Sequence, residues 1–239
     1  MKRAQTSGRV LRRISHMLHL LPFLALAALV LWLSLTDGRG TQAAAPHTGG
    51  ISYTTSDSEG RPATFTLAHA PERVLVSYPG ATELMIDLGL ERRIIGTTAP
   101  YGKEPSAYAD AYAELPILAA PYVPSREEVT ALRPDLIIGW SHHFTPEALG
   151  DVYSYFDRGV GAYIVPATVR RGAPTLEETV YPFIADMGHI FDAEDCAADY
   201  IAALKASVAA VEDRTAVRGK RFSAMILQSH GNSLYSMYA

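Results

Sequence analysis

Leu132-Arg133-Pro134-Asp135-Leu136-Ile137-Ile138-Gly139-Trp140 decides the fold of this chain. Asp135 to Trp140 holds a short continuous apolar run, closed at its far end by Gly139, the pattern of a strand buried on both faces. Pro134 disfavours the helical conformation in Arg133, so a preceding helix ends there. Ser125 and Glu128 stand three apart ahead of that helix and form a capping box that opens it. Working outward, Pro146 to Asp157 reads as the next helix and Ala162 to Pro166 as the next strand. The same alternation comes earlier. Val74 to Tyr78 is an apolar strand, Ala81 to Leu88 a helix stopped by Gly89, and Arg93 to Thr98 a second strand. Leu115 to Ala119 reads as a further short strand. Strand, helix, strand implies parallel pairing, and 73–172 is predicted to be a three-layer α/β lobe.

On the N-terminal side, Ile51 to Thr55 and Ala63 to Leu67 flank Ser56-Asp57-Ser58-Glu59-Gly60, which predicts a leading hairpin within 46–72. On the other side, 173–217 is helical. Thr175 and Glu178 form a second capping box for a helix to about Ile190. Asp192 is expected to cap a helix to about Thr215, with Ile201, Leu204, Val208 and Val211 at helical spacing. That helix is about 33 Å long at 1.5 Å per residue, enough to run from one lobe to another. Cys196 on it reads as a small packing residue. Arg221 to Ser229 predicts a fresh strand, Gly231-Asn232 a turn, and Ser233 to Tyr238 its partner. Residues 218–239 thus read as the incomplete start of a second lobe.

The 239 residues are 48% hydrophobic and 19% charged, which excludes both a disordered chain and a multi-span membrane protein. Six of the 21 basic residues but one of the 25 acidic ones fall in residues 1–45, leaving a net −9 beyond Ala45. So acidic a body excludes a nucleic-acid partner. A basic start, the apolar run Leu20 to Leu35 and Ala43-Ala44-Ala45 have the order of an export signal cleaved after Ala45, with an uncleaved membrane anchor as the alternative. Either places the body in the periplasm or on the outer face of the cytoplasmic membrane. No cysteine follows the apolar run, so a lipoprotein is not expected.

In a parallel sheet, ligands lie beyond the carboxyl ends of the strands. Those ends here deliver Tyr78, Tyr101, Tyr122 and Trp140, with His142 and His143 beside Trp140. Aromatics converging on a concave rim suit a large, partly apolar ligand. Adjacent histidines on a regular backbone point apart, and no further ligands are nearby, so no protein–metal site is expected. Gly139-Trp140-Ser141-His142-His143 falls one glycine short of a nucleophile elbow. The competing reading is therefore a membrane-anchored α/β serine hydrolase using Ser141, with Asp186 and His189 downstream. Glu128 is absorbed by its capping box, whereas Glu127 beside it is surplus.

Pro71-Glu72-Arg73-Val74-Leu75-Val76-Ser77-Tyr78-Pro79-Gly80-Ala81-Thr82-Glu83, Gly89-Leu90, Ile94-Ile95-Gly96, the opening stretch from Leu132 to Trp140 and Gly188-His189-Ile190-Phe191 occur in the order of one family. Over about residues 51–235 the chain resembles the periplasmic-binding components of ABC importers for ferric siderophores, haem and cobalamin. Ser77-Tyr78-Pro79-Gly80 and Leu115-Pro116-Ile117-Leu118 are most similar to the iron-siderophore branch. The resemblance implies two α/β lobes joined by a single long backbone helix, the second lobe truncated here. It implies a monomeric binding component with no catalysis and no cofactor of its own. Such a component delivers a small-molecule metal chelate to an ABC permease and its ATPase subunits. The chelate would be a ferric siderophore, haem or cobalamin, held on this side by Tyr78, Tyr101, Tyr122, Trp140, His142 and His143. In that family a Glu at the start of the helix before the L-x-P-D-L strand docks onto a permease Arg, and Glu127 occupies the matching position.

Overall fold

The structure is a computed structural model that describes residues 50–100, 107–120, 122–169, 175–218, 226–230 and 233–238, all within the unit Pro46–Ala239. The predicted leader, Tyr101, Pro121 and Gly231-Asn232 lie outside the described residues.

Strands β1 (Ile51–Ser56) and β2 (Pro62–Leu67) pair antiparallel, Ile51 opposite Leu67. Their turn is closed by Asp57, whose Oδ1 accepts the Glu59 and Arg61 N–H groups at 2.9 and 2.8 Å. Then come β3 (Val74–Val76), α1 (Pro79–Asp87) and β4 (Ile94–Thr97). A short α2 (Ala109–Ala113) leads to α3 (Arg126–Leu132), β5 (Leu136–Gly139), α4 (Val152–Phe156) and β6 (Gly161–Ile164). The four central strands are all parallel, in the order β4-β3-β5-β6. Alternate side chains of β3 and β5 enter two separate cores. Val74, Val76, Leu136 and Ile138 pack with α1 and α5 (Tyr181–Ile190), while Leu75 and Ile137 pack with Val129 of α3 and Val152 and Tyr155 of α4. This is the expected three-layer lobe.

The hairpin covers the edge strand β6 through side chains. Tyr53 donates its hydroxyl to Ala162 O at 3.1 Å, and Thr55 Oγ1 accepts the Ile164 N–H at 2.9 Å. An edge whose backbone groups are satisfied in this way is closed to stray strand pairing.

The long helix is α6 (Glu194–Arg218), 25 residues and about 36 Å. Among the described residues no helix is long and apolar enough to cross a membrane. After it, β7 (Ile226–His230) and β8 (Ser233–Tyr238) pair antiparallel, as the sequence predicts.

Several boundaries differ from expectation. Leu115 to Ala119 forms a single parallel bridge, Thr97 with Ile117, instead of a strand. The helix expected from Pro146 begins only at Val152, capped by Asp151, because Gly150 at φ +92° breaks it. Asp192 does not cap α6. It sits at φ +55° and ends α5, with Ala193 N–H reaching back to Gly188 O at 2.8 Å, a Schellman closure. Thr175 Oγ1 accepts the Glu178 N–H at 3.1 Å, but the helix it opens begins with a π turn over Leu176–Val180. Cys196 is exposed, and Ala197 takes the buried position beside it.

Candidate ligand-binding rim

The strand order reverses between β3 and β5, so the chain leaves these neighbours toward opposite sides and opens a crevice past their carboxyl ends. Val76 is followed there by Ser77 and Tyr78, and Gly139 by Trp140 and a 3₁₀ turn over Ser141–His143. Tyr78 and Trp140, both predicted for the rim, meet. The Tyr78 and Trp140 ring centroids are 5.2 Å apart, edge to face at 71°. Trp140 also stands edge-on to His142 at 5.1 Å and parallel to His143 at 6.3 Å. The result is a continuous strip of four rings along the crevice. Tyr122 is 63% exposed on the segment leading into α3.

The histidines do not point apart as adjacent residues on a regular strand would. The tight 3₁₀ turn brings their rings to 4.4 Å, His142 exposed and His143 2% exposed. Burial, and then the neighbouring His142, pushes the His143 imidazole down to about 4, so it is neutral at physiological pH. Its Nδ1 lies 2.9 Å from the buried Ser77 Oγ, which also reaches Ile138 O at 3.3 Å. Ser77 was not a sequence candidate. Its signal is positional: it follows β3 directly, opposite Gly139. A Cβ at Gly139 would fall 2.4 Å from Ser77 Oγ, so glycine there lets the serine reach the imidazole.

Two polar atoms at this end have no hydrogen-bond partner among the described residues, Trp140 Nε1 and Thr98 Oγ1, and both are buried. An orphaned buried donor costs about 1–3 kcal/mol, so such atoms need a reason. Tyr78 is half-buried. Desolvation, and next the charge of Glu83, raises its phenol above the ordinary value, so it is a neutral hydroxyl. Glu83 lies a full turn into α1, too far in to complement the helix dipole. Its own carboxyl is raised by burial and then by Asp87.

The hydrolase constellation does not assemble. Ser141 donates its hydroxyl to Thr168 O at 2.7 Å and its N–H to Thr168 Oγ1 at 3.0 Å. Asp186 accepts the Tyr163 hydroxyl at 2.5 Å, and His189 Nε2 lies 3.1 Å from Ser52 O. A nucleophile needs a base within hydrogen-bond reach, and here each member is committed elsewhere. Among the described residues no three His, Cys, Asp or Glu side chains cluster as metal ligands.

Glu127 is exposed in the first turn of α3. Ser125 and Glu128 beside it form the predicted capping box: Ser125 Oγ accepts the Glu128 N–H at 3.2 Å, and Glu128 Oε2 the Ser125 N–H at 2.8 Å.

A parallel α/β lobe with an aromatic strip at its switch point, running into one long helix, is the architecture of a solute-binding lobe. Residues 74–238 match the periplasmic binding protein family, and the chain belongs to that family. Among solved structures, a periplasmic binding protein from Veillonella parvula is 26% identical with a TM-score of 0.66, over 77% of this chain and 58% of that one. Staphylococcus aureus SirA, solved with staphyloferrin B, is 19% identical with a TM-score of 0.54, over 73% of this chain and 55% of that one. The petrobactin-binding protein YclQ from Bacillus subtilis is 17% identical with a TM-score of 0.56, over 77% and 60%. This chain therefore spans well under two thirds of the length of each of these structures. No protein of curated function matches the sequence.

Proposed function

We propose that this protein is the extracytoplasmic binding component of an ABC importer, and that it carries a ferric siderophore or a related metal chelate to a membrane permease. The strip formed by Tyr78, Trp140, His142 and His143 beyond the carboxyl ends of β3 and β5 carries this reading. The flat rings and the half-buried Tyr78 hydroxyl offer apolar contact and a hydrogen bond to a bulky chelate whose iron is already coordinated, with His143 backing the strip from beneath. Tyr101 and Tyr122 are further candidate ligand contacts in this reading. The unpartnered Trp140 N–H supplies a donor that a carbonyl or hydroxamate oxygen of the ligand can satisfy. SirA holding staphyloferrin B and YclQ binding petrobactin associate this fold with siderophores, which supports the class without choosing the chelate. Glu127 is the docking residue for the permease in this scheme, its exposed carboxylate setting orientation and association rate more than affinity.

The test uses Trp140 fluorescence. The chain has two tryptophans, Trp32 and Trp140, so protein starting at Pro46 reports from the rim alone. It is titrated with ferrioxamine B, ferric enterobactin, ferric citrate, haemin and cyanocobalamin. Saturable quenching by one of them at about micromolar concentration or below is expected. Folded protein that responds to none of them refutes the proposal.

A further inference from the structure

The face of the sheet covered by α3 and α4 carries a groove of about 350 Å³ between those two helices, away from the aromatic rim. Arg126 and Arg158 line it, together with Asp151, Ser154 and the buried Tyr155. Both guanidinium groups are held in place, but by neutral acceptors. Arg126 donates Nε to Ala148 O at 2.8 Å and Nη2 to Pro146 O. Arg158 donates Nε to Ser154 O at 2.8 Å and stacks on Tyr155, its Cζ 4.7 Å from the ring centroid. Neither makes an ion pair with a carboxylate among the described residues. Asp151, the acid in the lining, commits Oδ1 to the Ser154 N–H at 2.9 Å as the cap of α4.

Two pre-positioned guanidinium groups with N–H donors to spare are suited to a carboxylate, which they can grip with charge-assisted bonds. Fixing them on carbonyls lowers the side-chain entropy lost on binding. In a body of net charge −9, a groove lined by two arginines against the single carboxylate of Asp151 is a local positive exception, complementary to an acidic partner. We propose that this groove docks an acidic segment of a protein partner, with one Asp or Glu side chain seated between Arg126 and Arg158. Arg126 and Glu127 are neighbours on α3, so the groove adjoins the carboxylate assigned above to permease docking. Only the identity of the partner, the permease, rests on that assignment.

The experiment records arginine side-chain Nε–H resonances of the ¹⁵N-labelled full chain during titration with the peptide acetyl-Glu-Glu-Asp-Glu-amide. Sodium acetate and sodium phosphate at matched ionic strength are the comparison. Expected are saturable shifts of Arg126 and Arg158, with the peptide binding about tenfold more tightly than acetate or phosphate. Arg158→Glu should weaken the peptide at least about tenfold. Arg126→Lys keeps the charge while losing the fork, and should weaken it less. No saturation up to about 10 mM peptide, equal affinity for phosphate, or indifference to Arg158→Glu overturns the proposal. Shifts that follow protein concentration without peptide would assign the groove to a second copy and also overturn it. Chelate quenching of Trp140 is measured on the same samples. Its failure beside intact peptide binding would strike the import reading and leave the groove standing.

Discussion

The two ends of the central sheet treat their polar groups in opposite ways. At the amino end, Asp135 accepts the Glu72 N–H at 2.8 Å and the Arg73 N–H at 3.0 Å, while its own N–H reaches Arg73 O at 2.9 Å. Arg73 answers with Nε to Arg133 O at 3.1 Å and Nη2 to Leu132 O at 2.7 Å, and Arg93 Nη1 reaches Pro71 O at 2.8 Å. Turn carbonyls, backbone amides and a carboxylate close on one another into a lock between β3 and β5. At the carboxyl end, Trp140 Nε1 and Thr98 Oγ1 are buried without partners among the described residues, and a neutral histidine leans on a buried serine. Stability is concentrated at one end and withheld at the other, where a ligand would complete the hydrogen bonding. The motif Pro71-Glu72-Arg73 and the stretch Leu132-Arg133-Pro134-Asp135 belong to the lock. Much of what makes the sequence recognisable therefore holds the sheet together and lies at the opposite end from the candidate rim.

The sharpest way to break this contrast is Asp135→Ala. Removing a carboxylate that accepts two backbone N–H groups should destabilise the fold by about 3 kcal/mol in urea unfolding, leaving chelate affinity unchanged in the folded fraction. Equal loss of affinity would show that the ends are not separable. Acid attacks the other end. The unfolded chain binds the His143 proton near pH 6.5 and the folded chain only near 4, so stability should fall as pH drops through that window and be level above it. The full span is about 3 kcal/mol, and His143→Gln should flatten it in pH-dependent unfolding. Gly139→Ala forces Ser77 from its contact and should cost about 2 kcal/mol, with a changed near-ultraviolet spectrum as Trp140 shifts. Tyr78→Ala, at the open rim, is expected to weaken chelate binding about tenfold while moving Tm little. Glu127→Ala should alter neither Tm nor chelate affinity and lower uptake alone. An unchanged uptake rate would remove Glu127 from docking.

The strands were legible because their signals are local. Continuous apolar runs closed by Gly or Pro around Val74 and Leu136 needed no distant partner to be recognised. The capping box at Ser125 and Glu128 was legible for the same reason, since both its bonds lie within one turn. Misjudged boundaries trace to backbone conformations that side chains announce weakly. Asp192 can cap a helix or, in the left-handed region, terminate one, and the packing of α5 against α6 selected the second. Gly150 likewise shortened α4.

The candidate rim divides along the same line. That Tyr78 and Trp140 follow strand ends was readable, and parallel pairing with a reversed strand order converts that into contact. The Ser77–His143 pair was not readable. Its members are 66 residues apart, and it exists because β3 and β5 lie side by side with Gly139 leaving room between them. By itself the sequence determined the α/β alternation, the acidic body and the aromatic character of the strand ends, because composition and short-range periodicity act within a few residues. Only the tertiary structure decided which aromatics meet, which histidine is buried and neutral, and which arginines rest on neutral carbonyls. Those outcomes depend on burial and distance between segments that the chain brings together only on folding.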